Sequence, residues 1–462
     1  MPDTTLAQVL PHVSAALERR DLPRAFQLLE GFRAELDNDR ELASTWLTLL
    51  RIAPQRDSLA DDTRRILQRW PDDPQLVLAA CDALLRAEEL RGPDVPPDPR
   101  GFAASAAAAA ERCWQALPEP QRTAAEPGGY LLMNRANALR LLRRYEEAAD
   151  VYRAALSCDE SNGEWWFNYG LLHKAAGDFA GGLTVNERAR ALLGDKKPVL
   201  WNIAICATAL GKGELAADVM RKLGFDAAVQ DSGMPYVAGL PPAQVRVATR
   251  GSGHGMTGPA LDRGVAFELL WVSPASPCHG VVQTASSRDG STDYGDLVLW
   301  DGTPVGVFEH EGKPVPRFPL LSVLRQGDEH RFRFVALEQD AGDVLAFGSE
   351  LPHEALLFAH RASVEMLCAR CATGEHMHKH EHLKAEPHRL VYGKIVVPRS
   401  TPLREFANAL QARLKDHPKV QLVMPGLLEA LGETAAAGKA HQLWRGLERT
   451  ALKTAPARRP AD

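Results

Sequence analysis

The sequence lacks the features that mark membrane and secreted proteins. In its 462 residues no apolar run approaches the length of about 18 residues that a membrane-spanning helix needs. Residues 1–20 contain no basic stretch followed by an apolar core, the pattern of a signal peptide. The net charge is only −5, so no general basic field favours nucleic acid or anionic lipid. We therefore expect a cytoplasmic protein that binds neither nucleic acid nor membrane.

The chain also lacks a disulfide framework. It contains seven cysteines, an odd number, and all but Cys368 and Cys371 are scattered singly along the sequence. Such a set fits reduced thiols, and metal binding is the more common use of a close pair in this setting. The hydrophobic content of 45% is ordinary for a globular protein. A chain of this length can bury two or three independent cores.

The first half of the sequence contains a repeat with a period of 34 residues. Two sets of equivalent positions recur at this spacing: Asn134, Asn168 and Asn202 in one set, and Ala148, Gly182 and Ala216 in the other. This period is typical of helix–turn–helix units that stack into a solenoid. Small residues at equivalent positions let the two helices of a unit approach closely, and bulky residues fill the gap to the next unit.

Residues 129–225 resemble the tetratricopeptide repeat (TPR) family, with units at 129–162, 163–196 and 197–225. The resemblance implies that each unit is a pair of helices, A and B, and that the A helices line a groove for a protein or peptide. Helix B is expected to begin near Tyr145 in the first unit and near Phe179 in the second. The sequence departs from the family pattern because no proline ends the units and Gly182 replaces the usual alanine. We interpret residues 1–90 as degenerate capping repeats, so the solenoid spans residues 1–225.

The three repeated asparagines share position six of helix A. In TPR proteins that bind extended peptides, an asparagine at this position hydrogen-bonds the backbone of the ligand. An amide suits this role because it donates and accepts without a charge to desolvate. The resemblance therefore implies that Asn134, Asn168 and Asn202 bind a peptide. The alternative is a structural role, because asparagine is common here whether or not a peptide binds. Met133 and Asn202 replace the basic residues of the carboxylate-binding subclass, which disfavours a C-terminal carboxylate as the ligand.

The periodicity changes after Phe225. Residues 226–243 are rich in glycine and proline and predict a linker. Short alternating runs that predict strands follow: Gln244–Ala248, Ala266–Val272, Asp296–Trp300 and Arg331–Leu337. We infer a mostly antiparallel β domain over residues 244–397. Within it, Asp301 and Gly302 predict a type I′ hairpin turn between Leu297–Trp300 and Pro304–Phe308.

Helical periodicity returns near Ser400 and predicts an α/β extension over residues 398–454, followed by a disordered tail at 455–462. The predicted fold class is therefore multidomain: an all-α TPR-like solenoid, then a mostly antiparallel β domain with an α/β C-terminal extension. The second half resembles no family that we recognise.

The densest cluster of metal-binding side chains lies near residue 370. It comprises Cys368, Cys371, His376, His378, His380 and His382. Two thiolates separated by two residues after a strand are typical of a zinc knuckle. Histidines at alternate positions share one face of a strand, and those four apart share one face of a helix, so either conformation presents two imidazoles together. Cys278 and His279 are candidates for further ligands. The sequence predicts a structural Zn²⁺ site.

Three other interpretations of this cluster remain open. The cysteines could form a redox dithiol, although no thioredoxin-like βαβ pattern surrounds them. The histidines could belong to a polar loop. A catalytic zinc would need an open coordination position and a nearby base, for which Glu365 and Glu375 are weak candidates.

These features favour a protein-binding adaptor over an enzyme. The TPR solenoid would recruit a protein or peptide, and the zinc-stabilised β domain would provide a second contact surface. One alternative is a metal-dependent hydrolase whose solenoid presents the substrate. Another is a protein that handles Zn²⁺ or Ni²⁺ through its histidine-rich run.

Overall fold

The structure is a computed structural model that describes residues 5–54, 57–90, 97–249, 266–286, 292–361 and 390–454. The chain divides into two compact units, residues 1–235 and 236–462. No described helix is long and apolar enough to cross a membrane. The cluster near residue 370 lies outside the described residues.

The first unit consists of paired helices. The pairs are α1 (Leu6–Glu18) with α2 (Leu22–Glu30), α3 (Arg40–Ile52) with α4 (Leu59–Arg69), α5 (Pro74–Glu89) with α6 (Phe102–Ala116), α8 (Tyr130–Leu141) with α9 (Tyr145–Cys158), α10 (Gly163–Ala176) with α11 (Phe179–Leu193), and α12 (Lys197–Ala209) with α13 (Gly213–Lys222). A short helix, α7 (Glu119–Arg122), precedes α8. The first helices α3, α5, α8, α10 and α12 contact one another in sequence, and we call this row the A layer.

The helix register confirms the TPR-like character of this unit. The second helices of the last three pairs begin at Tyr145, Phe179 and Gly213, a constant spacing of 34 residues. A Cβ atom at Gly182 would lie 3.0 Å from the Sγ of Cys206, so the glycine makes room for a thiol of the next pair. The departure from alanine at this position thus has a packing cause.

The second unit contains two larger sheets. Its elements are β3 (Ala243–Thr249), β4 (Ala266–Ser276), β5 (His279–Val282), β6 (Leu297–Trp300), β7 (Gly306–His310), β8 (Lys313–Arg325), β9 (His330–Glu338), α14 (Asp343–Gly348), β10 (Leu356–Arg361), β11 (Leu390–Val397), α15 (Leu403–Asp416), β12 (Val420–Val423), α16 (Pro425–Ala430) and α17 (Thr434–Thr454). Two short strands, β1 (Ala227–Val229) and β2 (Pro235–Val237), pair near the division between the units. The four stretches that the alternation predicts as strands lie in β3, β4, β6 and β9, except for Asp296, which precedes β6.

The first larger sheet closes into a barrel. Its strands follow the order β3-β4-β5-β6-β8-β7, and β3 also pairs with β8. Every pairing is antiparallel except that of β3 with β8, which is parallel. The barrel strands β3, β4, β5, β6 and β8 alternate in direction, so the first and the fifth run the same way and can only close in parallel. Val245, Leu270, Val298 and Trp300 fill the interior.

The predicted hairpin turn at Asp301 and Gly302 is wrong. Strand β6 pairs with β8, and the tight hairpin of this region joins β7 to β8. Its two-residue turn consists of Glu311 and Gly312, whose φ angles of 51° and 72° are both positive, as a type I′ turn requires. The Asp301 side chain instead accepts a hydrogen bond from the backbone N–H of Thr303 at 3.3 Å. The Asp-Gly pair therefore forms a local turn between β6 and β7.

The second larger sheet has the strand order β10-β11-β9-β12, and its pairings are all antiparallel. Phe406 and Leu410 of α15 pack on one face of this sheet, with Ile395 of β11. Leu447 of α17 packs on the other face, with Leu390 of β11. The C-terminal helices thus cover both faces, and β12 pairs along β9.

Candidate peptide-binding surface

Polar side chains connect neighbouring helices of the A layer toward its N-terminal end. The Asn134 Nδ2 donates to Asp82 Oδ1 at 3.1 Å, which links α8 to α5. Asp82 also lies 3.9 Å from the Arg51 guanidinium of α3. Burial raises the pKa of Asp82, while the Asn134 hydrogen bond and the Arg51 charge act in the opposite direction. Arg140 of α8 pairs with Glu89 of α5 at 3.3 Å. The amide of Asn134 thus already serves a contact between helices.

Asn202 is engaged inside the solenoid. It is only 3% exposed, and its Oδ1 accepts a hydrogen bond from the Lys174 Nζ at 2.9 Å. Its Nδ2 donates to Asn186 Oδ1 at 3.3 Å, and Asn186 Nδ2 donates to the Gly182 carbonyl at 2.7 Å. This chain of bonds joins α10, α11 and α12. The burial leaves Asn202 almost no surface for a ligand.

Asn168 differs from its two equivalents. It is half-buried on α10, and within the described part of the chain its amide makes no hydrogen bond. Leu171 lies three residues further along the same helix, beside Asn168, and Phe167 lies one turn before Leu171. Both are also half-buried. We call Phe167, Asn168 and Leu171 the Asn168 patch. It combines an amide that can donate and accept with apolar surface on one side of that amide.

The two predicted metal ligands in the described part of the chain are buried in the barrel. Cys278 and His279 are 0% and 1% exposed. The His279 Nδ1 lies 2.6 Å from the Ser276 Oγ, which in turn lies 3.6 Å from the Cys278 Sγ. Burial lowers the pKa of His279 to about 4, so the ring is neutral at neutral pH. Among the residues that the structure describes, no three His, Cys, Asp or Glu side chains are placed to hold a metal ion.

Sequence analysis missed a pair of opposite charges buried in the second unit. The Lys394 Nζ donates to Asp293 Oδ2, and the two side chains are only 4% and 9% exposed. Asp293 Oδ1 also accepts the backbone N–H groups of Ser286 and Tyr294, at 2.9 and 2.8 Å. The pair joins the β5–β6 connection to β11. No local sequence signal marks it, because its partners are 101 residues apart.

No protein-family model matches this chain, and no curated protein matches its sequence. The search of solved structures finds MamA from Desulfovibrio magneticus RS-1, which is 12% identical over 39% of this chain and 93% of that chain, with a TM-score of 0.30. It also finds YrrB, described as a TPR protein with an unusual peptide-binding site, at 13% identity over 41% of this chain and 89% of that chain, with a TM-score of 0.28. A Naa15/Naa10 complex bound to HypK-THB is 16% identical over 46% of this chain and 40% of that chain, with a TM-score of 0.26. At these TM-scores the likenesses carry no argument, and the TPR-like assignment stands on the helix register.

Proposed function

We propose that this chain is a cytoplasmic protein-binding scaffold whose solenoid holds an extended peptide on the A layer. The observation that carries the proposal is the unbonded, half-buried amide of Asn168, which adjoins the half-buried apolar residues Leu171 and Phe167 on the same helix. The equivalent amides of Asn134 and Asn202 are occupied by contacts within the solenoid. The proposed ligand contact is therefore centred on α10.

The chemistry of the Asn168 patch suits a peptide backbone. The amide of Asn168 can accept from a backbone N–H and donate to a backbone C=O, and each such bond contributes about 0.5–1.5 kcal/mol. Phe167 and Leu171 would bury an apolar side chain of the ligand, at about 25 cal/mol for each Å² removed from water. The proposed partner is a protein or peptide, not a nucleic acid.

The scaffold proposal has two further parts. The β-rich unit would provide a second contact surface for the partner. Binding of Zn²⁺ through Cys368 and Cys371, with at least one of the nearby histidines, would stabilise that unit. The zinc part rests on the sequence alone. Elemental analysis of the purified chain tests it, with about one zinc per chain expected for a structural site.

The groove proposal is tested with peptides selected from a random library on the full chain. We expect Asn168→Ala to raise the dissociation constants of the selected peptides about five- to tenfold. This factor corresponds to the loss of one hydrogen bond of about 1–1.4 kcal/mol. Fluorescence anisotropy measures the dissociation constants. Glu187→Ala is the matched control, because Glu187 is exposed on α11, outside the A layer. Equal affinity of wild type and Asn168→Ala for every selected peptide would overturn the proposal, as would a failure to select any peptide.

A further inference from the structure

Strands β7 and β8 form a two-stranded ribbon whose one face is packed against the barrel. The ring centroids of Phe308 and His310 lie 6.0 and 5.1 Å from that of Trp271 on β4. The guanidinium of Arg317 lies 4.1 Å from the centroid of the Phe308 ring. These contacts hold one face of the ribbon against β4.

The turn determines which backbone groups of the ribbon point outward. The two-residue turn at Glu311–Gly312 makes His310 and Lys313 a hydrogen-bonded pair, and hydrogen-bonded and non-bonded pairs alternate from there. Four residues therefore direct their backbone groups away from the partner strand: Val307 and Glu309 on β7, and Pro314 and Pro316 on β8.

The two edges of the ribbon differ in what they offer. The outward positions of β8 are both proline, which has no N–H, so this edge cannot donate to another strand. Val307 and Glu309 keep their N–H and C=O groups on the edge of β7. Within the described residues no strand pairs with that edge, and Val307 is 52% exposed. Natural sheets usually protect such an edge, and here only one of the two is protected.

The side chains at the β7 edge specify what would pair with it. Val307 and Glu309 project on the face opposite Phe308, away from Trp271. A β-branched residue pairs well across from a valine, and a lysine or arginine pairs well across from a glutamate. Exposed Glu311 in the turn adds a second negative charge. In an antiparallel pairing the basic residue precedes the β-branched residue by two positions.

We propose that β7 accepts an extended strand from a partner protein by antiparallel pairing. The incoming strand carries Lys or Arg opposite Glu309 and a β-branched residue opposite Val307. This inference rests on the proposed function, since it locates the second contact surface of the scaffold, but it does not depend on the Asn168 patch. Main-chain hydrogen bonds supply affinity in this mode, and alternate side chains supply specificity.

The test uses the full chain and a fluorescein-labelled, disulfide-closed hairpin peptide with a free outer strand Thr-Lys-Thr-Val-Thr. A second peptide carries Glu in place of Lys. We expect wild type to bind the Lys peptide at least fivefold more tightly than the Glu peptide by fluorescence anisotropy. Glu309→Lys should reverse this preference. Val307→Pro removes one outward N–H and should weaken the binding of both peptides more than tenfold. Val307→Thr keeps that N–H and should bind both peptides as wild type does.

Each contrary result has a defined meaning. Unchanged binding by Val307→Pro, or an unchanged preference in Glu309→Lys, would overturn the proposal. Concentration-dependent dimerisation of wild type in sedimentation, abolished by Val307→Pro, would show that a second copy occupies the edge and would overturn the choice of a partner protein. Asn168→Ala should bind the Lys peptide as wild type, so failure of the groove proposal is distinguishable from failure of this one.

Discussion

Within each of the two units, the stabilising contacts join residues that lie at different distances along the sequence: short in the solenoid and long in the β unit. In the solenoid, the helices of each pair pack on one another and on the helices of the adjacent pairs. In the second unit, β3 closes the barrel against β8, and Gln244 contacts Arg317 from 73 residues away. The solenoid can therefore tolerate a local defect in one repeat, whereas a defect at one long-range contact of the β unit affects the whole unit.

Buried polar groups also connect elements that lie at different distances along the chain in the two units. In the solenoid, the Asn202 network joins consecutive helices mainly through amide groups. In the β unit, the Asp293–Lys394 pair joins the connection between two barrel strands to a strand of the other sheet. A buried charge is costly if its partner is lost, so we expect the stability of the β unit to depend on both members of this pair.

The sharpest test of this contrast is the removal of the Lys394 charge. Lys394→Met leaves Asp293 buried with only its backbone donors, and we expect a loss of about 3–5 kcal/mol in the free energy of unfolding. Asp293→Leu should cost more, because it removes the carboxylate that accepts from the Lys394 ammonium and also from the N–H groups of Ser286 and Tyr294. Chemical denaturation of the full chain measures both values. If either variant unfolds as wild type does, the pair is not what joins the two sheets.

Lowering the pH should destabilise the β unit through His279. Its pKa is about 4 in the folded state against 6.5 for an ordinary histidine, because burial disfavours the charged ring. The unfolded chain therefore binds the additional proton. Stability is full above pH 6.5 and falls as the pH drops toward 4, by up to about 3 kcal/mol at about 1.4 kcal/mol for each pKa unit.

The control for this pH effect is His279→Gln, which cannot titrate but can still hydrogen-bond to Ser276. Thermal unfolding of the β unit at pH 7.5 and pH 5 should show a smaller fall for this variant than for wild type. Identical pH dependence in the two proteins would assign the effect to other groups.

The smallest expected change in stability distinguishes two equivalent residues of the solenoid, Asn202 and Asn168. Asn202→Ala removes the hydrogen bonds that the Lys174 ammonium and the Asn186 carbonyl make to Asn202, and should cost about 1–3 kcal/mol. Asn168→Ala removes no hydrogen bond of the described structure and should change stability by less than about 0.5 kcal/mol. Thermal unfolding followed at the helical circular dichroism signal compares them. Equal losses in the two variants would contradict the distinct roles of these asparagines.

The solenoid could be predicted from sequence because its order is local. A period of 34 residues gave the positions at which α9 and α11 begin, Tyr145 and Phe179. The separate roles of the asparagines could not be predicted, because their partners Asp82 and Lys174 lie on other helices, 52 and 28 residues away. Sequence position alone places all three on one face.

In the β unit, alternation located several strands but not their partners. The Asp301-Gly302 pair has a strong local preference for a hairpin turn, yet β6 pairs with β8, since pairing depends on the closed barrel as a whole. The ion pair between Asp293 and Lys394 likewise depends on tertiary structure, because it joins the β5–β6 connection of one sheet to a strand of the other. The periodicity of a short stretch of sequence contains no information about contacts between distant strands or between two sheets.

The parallel closure of the barrel has a consequence for protein synthesis. A ribosome delivers the solenoid helix by helix, so each pair can pack as soon as it leaves the exit tunnel. The edge of β3, by contrast, must wait until β8 has been translated, because its partner residues Arg317, Phe318 and Pro319 come more than 70 residues later. Closing so long a loop carries an entropy cost before the contact repays it. The barrel therefore cannot close until β8 has left the ribosome, and until then the edge of β3 lacks the partner that it has in the folded chain.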